Sequence, residues 1–191
     1  MGKLPDEQRN TSKPTWGRLK RSLIELEEKE LLGLIRDLYG ASKENEAFLH
    51  ARFDLDIDAL EPYKTTIRRR ICPDVIRNQD YSISKAKKAI SDYRRATGRP
   101  DGLAELAVCY CESCADFLDY CGMDDEGYFN AMVRMYEQAL KSIRQLEENQ
   151  QEDFVERLEQ VRFRESPSWN GAVASDMDSL MEQYRFGESG Q

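Results

Sequence analysis

Phe129, Met132, Val133, Tyr136, Leu140 and Ile143 follow one another at intervals of one, three or four residues. At 100° per residue this spacing gathers them on one side of a helix, whereas a half-buried strand needs its apolar residues at alternate positions. The same period recurs along most of the chain, and no strand-like alternation bounded by turn residues is found. Such a chain must bury helical stripes against one another. The expected class is all-α, built as stacked helical hairpins or an irregular bundle of about six to eight helices.

Individual segments follow from caps and breakers. Leu23 to Tyr39 broadly keeps helical spacing, with "EEKE" marking a turn or an exposed face near residues 27–30, and Gly40 is expected to end it. Ser42 caps a second helix with Phe48, Leu49 and Phe53 inward, completing a hairpin. Leu60, Tyr63, Ile67 and Ile71 mark a helix entered near Pro62 and stopped by Pro73. In "SISKAKKAISDYRRATG" Ser84 is expected to cap, Gly98 to terminate, and Ala86, Ala89, Ile90 and Tyr93 to face inward. A helix from about Leu103 to Cys121 follows. The helix beginning near Tyr128 either continues through "ENQQED" by way of Leu146, Phe154, Leu158 and Val161, or breaks there.

After "SPSWNG", Met177, Leu180, Met181 and Tyr184 define a short amphipathic helix that is either the last core helix or a docking helix for a partner's groove. Folding back is favoured, with Trp169 as an apolar anchor at its entrance. The expected organisation is an N-terminal extension over residues 1–20, taken as flexible, a single helical domain over 21–186 and a tail over 187–191. A chain of 191 residues is long enough to bury one ordinary core. It has no apolar run near the roughly 20 residues of a membrane span, and its first residues lack the hydrophobic stretch of a secretory signal. A cytoplasmic location with no membrane partner is expected.

Four of the five cysteines lie within "CYCESCADFLDYC", residues 109–121. On a helix, Ala107, Tyr110, Phe117, Leu118 and Cys121 fall within about 60° of Cys114, with Cys111 at the edge of that stripe. Cys109 lies about 140° away, beside Glu105, Glu112 and Asp119, so a continuous helix cannot aim four thiolates at one tetrahedral ion. Acidic neighbours raise thiol pKa values and make poor nucleophiles. The cysteines read as small core fillers, and neither a metal nor a cofactor is expected.

Other catalytic patterns fail. His50 is the one histidine, and no local motif sets a serine or cysteine beside it. "DLDIDALE" resembles the start of a calcium loop but has Ala59 where the glycine belongs and Thr65 at the position of the final glutamate, which leaves Asp58 as a helix cap. No glycine-rich phosphate loop or di-iron carboxylate pattern is found. The expectation is no catalytic residue and no enzyme.

Charge is distributed unevenly. Residues 1–63, 64–100 and 101–191 carry net charges of −3, +8 and −13 within a total of −8. The basic middle is either a patch for phosphates or an acidic partner, or a face neutralised by the protein's own carboxylates.

The segments "ELLGLIRDLYGASKENEAFLHARF", "SISKAKKAISDYRR", "LAELAVCYCESCADFLDYCG", "EGYFNAMVRMYEQALKSI" and "SWNGAVASDMDSLMEQYRF" together resemble an uncharacterised family of small bacterial all-helical proteins, a domain of unknown function. The resemblance covers roughly residues 23–186. It implies bacterial origin, an all-helical domain and an intracellular location, and carries no activity or site residue with it.

The function expected is that of a non-enzymatic protein-interaction module, an adaptor, scaffold or regulator whose partner is another protein. The alternative is a nucleic-acid or phosphate-backbone binder acting through the basic stretch 64–99, with Lys64, Arg68, Arg69, Arg70, Arg77, Lys85, Lys88 and Arg95 on the binding surface. Overall acidity, the lack of a helix-turn-helix and the few aromatics available for stacking weigh against it.

Overall fold

A computed structural model describes residues 15–55, 58–122, 124–164 and 171–186. The extension up to Pro14, Asp56 of the acidic run, Pro167 and Trp169 before the last helix, and the tail from residue 187 lie outside the described residues. Among those described there are nine α-helices, one 3-10 turn and no strand. The all-α class holds, with somewhat more helices than the six to eight expected. The chain divides into two units after Asn45.

The first unit contains α1 (Trp16–Ile24), α2 (Glu28–Ala41) and the beginning of α3 (Lys43–Phe53). "EEKE" is a break: Glu27 and Glu30 form a capping box that starts α2 afresh, with the Glu27 amide donating to Glu30 Oε2 at 2.9 Å. Gly40 does not stop this helix, which runs on to Ala41. The stop comes at Ser42, whose extended backbone leaves the helix and whose hydroxyl caps α3 by accepting from the Asn45 amide at 3.2 Å.

The second unit contains the rest of α3, then α4 (Glu61–Ile71), α5 (Ile83–Ala96), α6 (Pro100–Cys121), α7 (Glu126–Ile143), α8 (Glu148–Arg162) and α9 (Gly171–Tyr184), with the 3-10 turn at Val75–Arg77. The cap position of α4 is Leu60, not the expected Asp58, whose carboxylate instead holds the turn leading into the helix by accepting from the amides of Leu60 and Glu61 at 3.0 and 3.1 Å. Ser84 does not cap α5: the helix already starts at Ile83, with Ser82 at the cap position. Gly98 and Gly122 both take φ near +60°, where a side chain would be strained, and so end α5 and α6. "ENQQED" lies in α8, and the chain turns between Ile143 and Glu148, making two helices where one or two were open.

Helix α6 is the centre of this unit, with α4, α5, α7 and α8 packed around it. Six consecutive residues, Leu106 to Cys111, are buried, more than a full turn, so the helix is covered on all sides over that stretch. Ile67 and Ile71 of α4, Tyr110 and Leu118 of α6, Met132, Tyr136 and Leu140 of α7 and Leu158 of α8 are fully buried. Long-range hydrogen bonds tie the layers, including Tyr128 Oη to the Ile71 carbonyl at 2.9 Å and Tyr136 Oη to the Leu158 carbonyl at 3.2 Å.

Candidate functional site

The cations of the basic stretch divide into paired and unpaired sets. On α4, Lys64 Nζ lies 2.7 Å from Glu105 in a half-buried setting, and Arg68 Nη1 lies 3.0 Å from Glu61. Arg77 pairs with Asp74 across the 3-10 turn. On α5, the largely buried Asp92 pairs with both Lys88 and Arg95. Five of the eight expected surface cations are therefore paired with carboxylates of the protein, two of them with the same Asp92. Arg69, Arg70 and Lys85 have no ion-pair partner among the described residues. Lys64 is only 18% exposed at its side chain, which places it inside the fold rather than on a phosphate-facing surface.

Two carboxylates of α6 are likewise partly covered. Glu105 and Glu112 are gripped by Arg157 of α8, whose Nη1 lies 2.6 Å from Glu105 Oε2 and whose Nε lies 2.8 Å from Glu112 Oε1. Burial pushes the Glu105 carboxyl up, but the hydrogen bonds from Arg157 and Lys64 outweigh it and hold the group below its ordinary value. Cys109, which helical spacing sets beside Glu105, Glu112 and Asp119, is also buried, because α4 and α8 cover that side of α6. Cys111 and Cys114 are completely buried, and burial drives all three thiols upward in pKa. Cys72 and Cys121 are half-buried. Among the described residues no group of three or more His, Cys, Asp or Glu is arranged to hold a metal ion.

The C-terminal helix α9 lies against α7 and α8. Met177 is fully buried, Tyr184 is buried with its hydroxyl 3.3 Å from Glu137, and Leu180 and Met181 pack at the edge of the core. The apolar stripe proposed for docking is thus turned into the protein's own core.

Two other arrangements escaped the sequence reading. A cavity of about 240 Å³ is lined by Lys87, Ile90, Ser91 and Arg94 of α5 and by Arg134, Met135 and Gln138 of α7. Its three cations have no ion-pair partner among the described residues, and no acidic side chain lines it. The α5 half was visible in the spacing of Lys87, Ser91 and Arg94, whereas Arg134 joins only through the fold.

In the first unit, α1 and α2 contain no buried residue. Leu32 is 62% exposed, and Leu34, Ile35 and Leu38 are also exposed. With Leu31 they occupy an arc of about 160° around α2, wider than the apolar stripe of an ordinary surface helix. On α1, Trp16, Leu19 and Leu23 form a second stripe at helical spacing. That signal was readable from residues 16–23.

No helix among the described residues is long and apolar enough to cross a membrane. Comparison with known proteins finds no matching family model, no matching curated protein and no matching solved structure.

Proposed function

We propose that the protein is a non-enzymatic protein-interaction module of the adaptor or scaffold type, and that it associates through the apolar faces of α1 and α2. The observation that carries this reading is the exposure of Leu32, Leu34, Ile35 and Leu38 on one arc of α2. Contiguous exposed apolar surface of this kind marks association sites, because leaving it in water forfeits the burial that drives packing.

The occupant that fits is a second copy of the same segment. Residues 16–24 carry three cations and no acid, whereas residues 25–41 carry five acids and two cations. The two halves have net charges of +3 and −3. A two-fold arrangement setting α1 of one copy beside α2 of the other makes the favourable contact twice and covers both apolar stripes. In contrast, the protein's own carboxylates already pair with five of the eight cations on which phosphate-backbone binding would depend.

Sedimentation velocity and light scattering on the whole chain test the reading. A concentration-dependent dimer is expected, and Leu34→Glu with Leu38→Glu should return it to monomer while leaving the melting of the second unit unchanged. A chain that stays monomeric at every concentration, or a dimer indifferent to these substitutions, overturns it. So does a monomer that cosediments with anionic vesicles through α1, which would make the basic amphipathic helix a membrane-surface element.

A further inference from the structure

Helix α5 carries two charge ladders of identical spacing, one residue out of step. In the first, Lys88, Asp92 and Arg95 occupy positions i, i+4 and i+7, and the central carboxylate takes both cations, with Lys88 Nζ at 2.5 Å. In the second, Lys87, Ser91 and Arg94 occupy the equivalent positions, but the central residue is a serine. This ladder has no counterion of its own. Helix α7 adds a third cation, Arg134, again without an ion-pair partner among the described residues, and the amide side chain of Gln138. All five polar side chains line one cavity, together with the buried Ile90 and Met135.

Three like charges around one concavity, from the half-buried Lys87 and the exposed Arg94 and Arg134, complement an anion from outside. A single carboxylate would leave two charges uncompensated. A phosphoryl group brings about −1.5 to −2 charges and three acceptor oxygens, which suit two guanidinium forks and an ammonium. The Ser91 hydroxyl and Gln138 amide supply further hydrogen bonds. Ile90 and Met135 offer an apolar contact for a short substituent, and about 240 Å³ is below the usual range for pockets that enclose drug-sized ligands.

We infer that this α5–α7 cavity is a binding site for a phosphoryl group, either free phosphate or a small phosphate monoester, held by Lys87, Arg94 and Arg134. Every residue involved belongs to the second unit, so the inference stands independently of association through α1 and α2.

Calorimetric titration of the whole chain, in a phosphate-free chloride buffer, with inorganic phosphate and with phenyl phosphate provides the test. Saturable one-site binding is expected. Tighter binding of phenyl phosphate assigns the site to monoesters, and equal binding assigns it to free phosphate. Lys87→Gln with Arg134→Gln should weaken binding about tenfold or more. Ser91→Asp recreates the carboxylate of the neighbouring ladder, so it should weaken binding about tenfold or more and raise Tm. Absence of saturable binding, or variants that bind like the wild type, overturns the inference. An acidic peptide that competes more strongly than either phosphate compound also overturns it, by making the groove a protein contact.

Discussion

Arg157 and Glu105 are 52 positions apart in the chain and 2.6 Å apart between Nη1 and Oε2. The same guanidinium reaches Glu112, and Lys64 reaches the same Glu105, so one α8 side chain completes a charge cluster shared by α4, α6 and α8.

Replacing Arg157 by Met removes the cation while keeping much of its apolar stem, and leaves Glu112 half-buried without its partner. A loss of about 3 kcal/mol is expected, measured by urea denaturation at neutral pH. Because the folded Glu105 is depressed below its ordinary value of 4.5, its contribution is present above that value and fades as pH falls further. The stability gap between wild type and Arg157→Met should therefore narrow on acidification below pH 4.5. A gap independent of pH would show that the carboxylate pairing is not its source.

Two glycines should respond in opposite directions to the same substitution. A Cβ at Gly102 would run into the ring and hydroxyl of Tyr93, a buried residue in edge contact with Tyr63. Gly102→Ala should destabilise by about 1–3 kcal/mol despite alanine's better helix propensity. Gly33, within α2, has no atom within 4 Å of that position. Gly33→Ala should raise helicity by circular dichroism, with a gain of up to about 1 kcal/mol for α2.

Thiol accessibility follows burial. Cys109, Cys111 and Cys114 are buried and their thiolates disfavoured, so a chromogenic disulfide reagent at neutral pH should leave them unmodified in the native protein. Reaction should be confined to Cys72 and Cys121, with all five cysteines titrating after denaturation. Rapid native modification of Cys109 would show that the α4 and α8 cover over α6 opens readily.

Met177 tests whether α9 belongs to the core. Met177→Ala should cost about 3 kcal/mol through a cavity beneath α9, and removal of residues 165–191 should lower Tm further. Unchanged melting of the truncated chain would show that α9 contributes nothing to the second unit.

Helices buried on one side were the legible ones. Ala86, Ala89, Ile90 and Tyr93 face inward on α5, and Met132, Tyr136 and Leu140 do so on α7, as their period requires. Helix α6 was harder because it is enclosed. Glu105 and Glu112 look like a solvent face until Arg157, encoded some fifty residues later, lies over them, and Cys109 is carried inside with them. Serine chemistry alone did not place the α5 cap, since Ser82 and Ser84 are equivalent until the backbone chooses. The cation cavity had the same limit: Lys87 and Arg94 announce themselves through helical spacing, but Arg134 becomes their neighbour only once α7 is folded.

The burial of α9 also has a consequence for synthesis. Of the described helices it is the last to be made, and the side of α7 that it covers has been translated well before it. At about 5–20 residues per second, the interval between Ile143 and Tyr184 is about 2–8 s. A product cut short before α9 is expected to keep that apolar side open to neighbours. A chain that includes α9 covers it, so α9 is expected to lower the tendency to aggregate.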